Sequence, residues 1–421
     1  MRLEEKLENS LVMRNIRSDE DVVKFARFNA EFNNASEGAT CELLLREHKG
    51  MTQEDFFLVE DTSAGEFLAT ICLIPWEISF EGIPIHAAML EMVLSHPAHR
   101  KQGLVKRLIL CFLAEVDKRG YEVSLITGIP NYYRQYGYTY AFDLGTSEIL
   151  PAFLLPDSAK SPAGRYGLRN ANQVDLGQLA KWHEENNRQK QVHVLRSDDH
   201  WRYLFDKAKF DIRIVEDTST HAAVGYCLVN ESADRKTIQI PEAVLPNHEV
   251  AQATLNLLRT DVTERIIIGC GKQDVLAQLV GEYGSVASRN TQWLIRTHDV
   301  VKFMNRIKPV FEKRLACAGC SCMSAEVIVN LFRYAIRLRI KEGKIESIQN
   351  VGFLDSSMGA DGGDLCIPHD AFIRLLFGYR NLDELWDAWP DIVVKPEKKH
   401  IIEILLPKLC GHLYAPYHYQ G

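Results

Sequence analysis

One short stretch of the sequence, "VLSHPAHRKQGLVKRLI", combines an apolar strand, a basic loop and the start of a helix. The potential cations around that helix start are His99, Arg100, Lys101, Lys106 and Arg107. Positive side chains there oppose the helix dipole by about 0.3–1 kcal/mol each. We therefore expect an anion, a phosphate or pyrophosphate, that binds free backbone N–H groups beside Gly103. The alternative is a surface helix that simply begins with basic residues.

A second stretch, "YYRQYGY", places four tyrosines between positions 132 and 138. A phenol can donate a proton during catalysis, but tyrosine-rich segments also serve as packing. A third stretch is the tail "HLYAPYHYQG", whose Tyr414, Tyr417 and Tyr419 are a large aromatic area for a chain terminus. We expect this tail to be buried.

The elements around the basic loop predict a mixed α/β sheet. Leu104, Leu108, Phe112 and Val116 recur every four residues and give one core-facing side to a helix from Gly103 to about Lys118. Strands are predicted before and after it, in "EMVLS" and "VSLITG", and further strands and a capped helix precede them. A single helix between two strands is typical of such a mixed sheet.

The length of 421 residues predicts about three domains. We place them at 1–150, 151–299 and 300–421, with a junction in the Pro- and Ser-rich stretch Pro151–Gly164. The order of strands and helices in the second region repeats that of the first, which indicates a degenerate internal repeat. In the last region we predict helices in "AEVIVNLFRYAIRL", "PHDAFIRLLFG" and "LDELWDAW".

Composition and charge exclude several classes of protein. A net charge of −7 argues against general nucleic-acid binding and permits a cationic substrate. The charged start "MRLEEKLENS" is unlike a signal peptide, and no apolar run is long enough for a membrane span, so we expect a cytoplasmic location and no membrane partner. For Cys317, Cys320 and Cys322 we favour unligated thiols over a metal site.

The basic loop resembles motif A of the GNAT superfamily, the acetyl-CoA-dependent N-acetyltransferases. In that family an R-x-x-G-x-G/A loop binds the pyrophosphate of coenzyme A; Arg100 and Gly103 match it, whereas Val105 replaces the last small residue. With this departure the loop reads R-x-x-G-L-hydrophobic and resembles that of the enhanced-intracellular-survival type of acetyltransferase. The resemblance implies two tandem GNAT-like domains, the second lacking motif A, followed by a sterol-carrier-like α/β domain. It also implies a homo-oligomer, a hexamer.

The resemblance also assigns site residues, with acetyl-CoA as co-substrate and no metal. The pantetheine arm is expected to contact the strand residues Val93, Leu94 and Ser95. The pyrophosphate is expected on the basic loop, formed by Arg100, Lys101, Gln102, Gly103, Leu104, Val105 and Lys106. Gly128 and Ile129 are expected close to the cofactor.

The catalytic residues are implied in the same way. "YYRQYGY" resembles the family's F-Y-x-x-x-G-F segment, and this makes Tyr133 the general acid that protonates the leaving thiolate. The resemblance makes the terminal carboxylate of Gly421 the general base, with the aromatic tail reaching the active site. Glu91, on the central strand, is the other possible base, and simple docking of the tail is the alternative role for its tyrosines.

The function expected is therefore acetyl transfer to a primary amine of an aminoglycoside, a polyamine-like compound or a lysine-containing peptide. The opposing hypothesis is a binding protein without catalysis. In that case the last domain binds an apolar ligand and the first domain senses acyl-CoA.

Overall fold

A computed structural model describes residues 3–143, 148–156, 164–287, 292–355, 362–414 and 416. Within these ranges the strands form three separate sheets. The fold prediction of a mixed α/β protein is confirmed, because these sheets combine parallel and antiparallel pairs and carry helices against them.

The first third of the chain builds the sheet that carries the predicted site. Its strands are β1 (Glu4–Lys6), β2 (Leu11–Asn15), β3 (Phe56–Asp61), β4 (Glu66–Phe80), β5 (Ile83–Ser95), β6 (Val123–Ile126) and β7 (Thr139–Asp143). Its helices are α1 (Asp19–Phe32), α2 (Ala35–Glu47) and α3 (Leu104–Lys118). Strands β1 to β5 are antiparallel neighbours, and β6 lies parallel to β5.

Helices cover both faces of this sheet. The apolar side of α3, with Leu108 and Phe112, packs on Leu90 of β5, as the four-residue spacing predicted. Helices α1 and α2 pack on the opposite face, where Phe25 and Cys41 share a core with Met89. Consecutive side chains of β5 point to opposite faces of the sheet, so Met89 contacts one set of helices and Leu90 the other.

The second third contains nine described strands, seven of which form a sheet of their own. Its elements are β8 (Glu148–Pro151), β9 (Tyr166–Asn170), α4 (Leu176–Asn187), β10 (Val192–Leu195), α5 (Asp198–Arg202), β11 (Ile212–Asp217), β12 (Ala222–Glu231), β13 (Thr237–Val244), α6 (His248–Leu258), β14 (Arg265–Ile268), α7 (Val275–Glu282), β15 (Val286–Ala287) and β16 (Gln292–Thr297). The unit β13–α6–β14, with its parallel strands, has the same order as β5–α3–β6.

The last third contains the third sheet. Its elements are α8 (Val300–Arg306), α9 (Lys308–Cys317), β17 (Ala325–Asn330), β18 (Ala335–Lys341), β19 (Lys344–Gly352), β20 (Leu365–Cys366), α10 (His369–Leu376), α11 (Leu382–Ala388), β21 (Val393–Val394), α12 (Pro396–Leu405) and β22 (Gly411–His412).

The helix predicted in "AEVIVNLFRYAIRL" is wrong, because this segment is the hairpin β17–β18. Val327, Ile328 and Val329 are β-branched and lose side-chain freedom in a helix, and Phe332 adopts a left-handed conformation (φ 65°) in the turn. The helices predicted in "PHDAFIRLLFG" and "LDELWDAW" are α10 and α11.

Three strands from later parts of the chain join the first sheet. Strand β16 lies between β6 and β7, β10 pairs with the second half of β4, and β22 pairs with β10. The division into domains at residues 150 and 299 stays a prediction. The structure shows in addition that β10, β16 and β22 pair with strands across these boundaries. None of the described helices is long and apolar enough to cross a membrane.

Candidate active site

A cleft opens where β5 and β6 separate. The two strands pair only from Ala87 to Met89 on β5 and from Val123 to Leu125 on β6. Strand β5 then continues to Ser95 beside β4 alone, so its other edge is open along this stretch. Val93, Leu94 and Ser95, expected to contact the pantetheine arm, are half-buried on this part of β5.

A bulge in β5 lies at the start of the open stretch. The register with β4 shifts between the pairs Thr70↔Leu94 and Cys72↔Glu91, so that β5 has one residue more than β4. Met92 adopts a left-handed conformation there (φ 55°). The Thr70 hydroxyl donates to the Met92 carbonyl oxygen at 3.1 Å and fixes the bulge from the β4 side. Bulges of this kind redirect backbone groups next to active sites.

The basic loop presents free backbone N–H groups. Among described residues, no backbone acceptor is found for the N–H groups from Lys101 to Lys106; the next one, of Arg107, donates to the Gly103 carbonyl oxygen at 3.0 Å. Gly103 caps α3 with a φ of 77°, and Lys101 is also left-handed (φ 66°). Such a left-handed turn before a helix directs consecutive N–H groups toward one point, as anion sites require.

The side chains of this loop keep their positive charge available. Arg100, Lys101, Lys106 and Arg107 are exposed, and none forms an ion pair with a carboxylate in the described part of the chain. The first turn of α3 also contains no acidic residue. The predicted pyrophosphate-binding residues, from Arg100 to Lys106, are thus brought together on one loop, with Gln102 exposed and Leu104 anchored in the core.

Tyr133 lies in a short helical turn after β6 and is only 3% exposed. Its ring packs edge-on against Tyr132, with centroids 5.1 Å apart. Within the described ranges its hydroxyl has no hydrogen-bond partner, whereas Tyr138 has Ser124 and Tyr132 has Tyr136. Burial raises the pKa of the Tyr133 phenol, and the Glu91 carboxylate raises it further.

Gly128 and Ile129 occupy the loop between β6 and Tyr133. A Cβ on Gly128 would lie 2.4 Å from Cε2 of Tyr133, so the absence of a side chain lets the ring lie against this backbone. Ile129 is 67% exposed on this loop.

Glu91 is the second titratable group of the cleft. It occupies the position before the bulge and alternates with Leu90, so it lies on the sheet face that α1 and α2 cover. Burial raises its pKa to about 8, and the charge of Glu37 on α2 adds to the rise. A carboxylate with such a pKa can accept a proton near neutral pH.

The tail follows the first sheet up to its last described residues. The carbonyl oxygen of Leu413 accepts from Trp293 Nε1 at 2.9 Å, and that of Pro416 lies 3.0 Å from His200 Nε2. Leu413 is buried in the core on the α1 and α2 side, the side of Glu91. Tyr414 is half-buried beside Arg196 and Glu242. Tyr417, Tyr419 and Gly421 lie outside the described residues.

A family model for an acetyltransferase (GNAT) domain matches residues 13–141. Residues 13–141 therefore form a GNAT acetyltransferase domain, the part of the chain that supports an acetyltransferase activity. The prediction of an enzyme is thereby confirmed. The matched range contains β5, the basic loop, α3 and Tyr133. No curated protein sequence matches this chain.

Solved structures with a similar fold extend over nearly the whole chain. A probable N-acyltransferase from Enterococcus faecalis has a TM-score of 0.70 at 14% identity and covers 97% of this chain and 100% of its own. A GCN5-related N-acetyltransferase from Anabaena variabilis has a TM-score of 0.68 at 14% identity, with coverage of 96% and 99%. Eis1 from Mycobacterium abscessus has a TM-score of 0.58 at 17% identity, with coverage of 96% and 99%. At these identities the likeness shows the fold alone.

The GNAT domain also contains features that the sequence analysis missed. Helix α2, which supplies Glu37, was not predicted, because its hydrophobic periodicity is weak. The bulge at Met92 has no sequence signal, since a left-handed methionine is unexpected. A cavity of about 550 Å³ beside the GNAT domain, lined by Trp76, Arg196 and His200 among others, was also not foreseen. Within the described ranges, no three metal-ligating side chains are placed to hold an ion.

Proposed function

We propose that this acetyltransferase transfers the acetyl group of acetyl-CoA to a primary amine of a cationic acceptor, by direct attack in the cleft between β5 and β6. The observation that carries the proposal is the combination in one cleft of free backbone N–H groups and unpaired cations on one loop with two titratable groups, Tyr133 and Glu91.

The basic loop supplies the site for the coenzyme A pyrophosphate. The N–H groups from Lys101 to Lys106 and the side chains of Arg100 and Lys101 provide hydrogen-bond donors and positive charge. The open edge of β5, from Val93 to Ser95, provides main-chain groups for the pantetheine arm. A backbone N–H of this edge would stabilise the charge that develops on the thioester carbonyl oxygen.

Tyr133 has the role of general acid in this proposal. The departing thiolate needs a proton, and the Tyr133 phenol stays protonated because burial and Glu91 raise its pKa. Its hydroxyl has no other partner in the described part of the chain, so it is available to the sulfur. Gly128 supports this position by leaving room for the ring.

Two carboxylates are proposed as proton acceptors. Glu91 has a pKa of about 8, which suits removal of a proton from an amine. The terminal carboxylate of Gly421 is the second, and the route of the tail supports it. Five residues follow Pro416, and at about 3.4 Å per residue they extend up to about 17 Å. His200, which contacts Pro416, lines one cavity with Trp76 of β4. Along β4, Trp76 is about 13 Å from Cys72, the partner of Glu91, so the remaining residues are long enough to span this distance.

The acceptor is proposed to be a cationic amine because two carboxyl groups, Glu37 and Glu91, lie near each other on that face of the cleft. The charge of Glu37 adds to the raised pKa of Glu91, and a protonated amine beside them would favour the charged form of Glu91. Aminoglycosides, polyamine-like compounds and lysine-containing peptides share this chemistry. The homo-oligomer and the sterol-carrier-like last domain remain predictions of the sequence resemblance, and the cytoplasmic location remains a prediction from the charged first residues and the lack of a long apolar run.

Release of thiol from acetyl-CoA tests the proposal, with spermidine, an aminoglycoside and a lysine-containing peptide as acceptors. We expect amine-dependent release that Tyr133→Phe suppresses, while Tyr136→Phe serves as the matched control on the same turn. Binding of acetyl-CoA without release for any amine would favour the acyl-CoA-binding alternative.

A further inference from the structure

A second basic cavity is lined by residues from all three regions of the chain. Its volume is about 290 Å³, and it lies at the base of the tail. Its walls are formed by Phe142 of β7 and by the loop before α7 in the second region. The last region adds Tyr379 and the segment from Lys408 to His412. This cavity shares no residue with the basic loop before α3.

Four cationic side chains line this cavity, and no carboxylate is among its described lining residues. The four are Lys190, Lys272, Arg380 and Lys408. Lys190 is almost completely buried and pairs with Asp274 at 2.8 Å. Lys408 pairs with Glu384 in an exposed contact of little strength. Arg380 donates only to Tyr379, through its carbonyl and hydroxyl oxygens, and pairs with no described carboxylate.

Neutral polar groups also line or border the wall beside these cations. The Nε2 atom of His412 is buried and has no hydrogen-bond partner in the described part of the chain. The backbone N–H of Gln273 has no acceptor there either. A Cβ on Gly271 would lie 3.2 Å from the His412 ring, so this glycine allows the loop to approach the tail closely.

We propose that this cavity binds a small, multiply charged anion of the phosphate class, held by Lys272, Arg380 and Lys408 against the base of the tail. Arg380 pairs with no described carboxylate, and the lysine side chains beside it in this partly closed cavity add donors and positive charge that would stabilise a bound anion. Its volume is at the lower end for ligand sites, which suits a phosphate or pyrophosphate group. Because one wall is the segment from Lys408 to His412, the bound anion would hold the start of the tail against the second region.

Inorganic pyrophosphate is the probe for this site, with binding measured by titration calorimetry at constant ionic strength. The full chain is first saturated with acetyl-CoA, so that the basic loop before α3 is occupied. We expect one remaining site per chain. Lys272→Ala and Arg380→Ala should each weaken it at least about tenfold, as expected for loss of a charge-assisted contact. Lys344→Ala, an exposed lysine paired with Glu312, is the control that should bind as before.

Three results would overturn the inference. They are no pyrophosphate binding once acetyl-CoA is present, cavity variants that bind pyrophosphate as tightly as the wild type, or a loss of binding in Lys344→Ala as large as that in the cavity variants. Circular dichroism establishes that each variant is folded, and Arg380→Gln replaces any alanine variant that is not. If acetyl-CoA itself does not bind, the proposed function fails. The titration is then repeated on the Arg100→Ala, Lys101→Ala double variant, so the anion site is judged separately.

Discussion

Tyr133 is a buried and Glu91 a half-buried ionisable group, and their charges disfavour each other. The carboxylate raises the pKa of the phenol, and burial raises the pKa of both. In the neutral state of the cleft, a protonated phenol therefore lies near a carboxyl group that is ready to lose its proton close to pH 8. The two groups share one cleft, but their pKa values differ, so the phenol can act as the acid and the carboxylate as the base.

Tyr133→Phe removes the proton donor without changing the shape of the cleft. We expect kcat to fall about 10²-fold, as is usual for loss of a general acid, while the dissociation constant of acetyl-CoA is nearly unchanged. Steady-state kinetics and calorimetry measure the two quantities. An unchanged kcat would show that Tyr133 is a packing residue.

The raised pKa of Glu91 predicts a pH dependence of activity. If Glu91 accepts the proton, kcat/KM should rise about tenfold per pH unit up to about pH 8 and then level off. In Glu91→Gln this step should disappear together with most of the activity. A profile that keeps the same step in Glu91→Gln would assign it to another group.

Stability should change with pH in the opposite direction. The folded state holds the Glu91 proton up to about pH 8, whereas the unfolded chain loses it near pH 4.5. The free energy of unfolding therefore falls by up to about 1.4 kcal/mol per pH unit between these values. Denaturant titrations of the wild type and Glu91→Gln should diverge as the pH rises through this window, with the variant more stable at the upper end.

Gly128→Ala tests the positioning of Tyr133. The added methyl group would lie 2.4 Å from Cε2 of the ring, so the phenol must move. Displacements of about 1 Å can cost up to about 10²-fold in rate, and we expect a loss of kcat that approaches the effect of Tyr133→Phe. Gly177→Ala is the matched control, because no atom lies within 4 Å of its added Cβ. Full activity in Gly128→Ala would contradict the close contact.

At the scale of single elements, α3 carries a conflict between stability and binding. A cation in its first turn opposes the helix dipole, and the same cation attracts the pyrophosphate. Lys106→Gln should therefore raise the free energy of unfolding by about 0.3–1 kcal/mol and weaken acetyl-CoA binding, with a smaller dependence on salt.

Lys118→Gln, at the other end of the same helix, is the control for this prediction. Lys118 pairs with Glu115 and complements the negative end of the dipole, so its loss should lower stability slightly and leave acetyl-CoA binding unchanged. A loss of stability in Lys106→Gln would contradict the dipole argument, and equal binding of acetyl-CoA by both variants would remove Lys106 from the pyrophosphate site.

Elements with a strong local pattern were predictable from the sequence. The helix predicted from Gly103 is α3, which begins at Leu104 and ends at Lys118, because its apolar residues recur every four positions and glycine marks its start. The β17–β18 hairpin was not predictable by the same rule, since its apolar residues also fit a helical spacing. The bulge at Met92 depends on Thr70, a residue on another strand that local sequence does not reveal.

At the scale of the whole molecule, the chain returns three times to its first sheet after the GNAT domain ends. Strand β16 completes that sheet between β6 and β7, β10 extends the edge of β4, and β22 pairs with β10. Sequence patterns identify strands but not their partners across more than 100 residues, so this interleaving had no signal. One consequence is that the second region is needed to place the tail over the face of the GNAT domain that carries Glu91.

A chain that stops at Pro416 tests whether the tail takes part in catalysis. The contacts of Leu413 with Trp293 and of Pro416 with His200 remain in it, so the melting temperature and acetyl-CoA binding should be nearly unchanged. If the terminal carboxylate acts on the amine, kcat should fall about 10²-fold or more, because a positioned proton acceptor is lost. Turnover equal to that of the full chain, with the pH step near 8 retained, would leave Glu91 as the general base and give the aromatic tail a structural role.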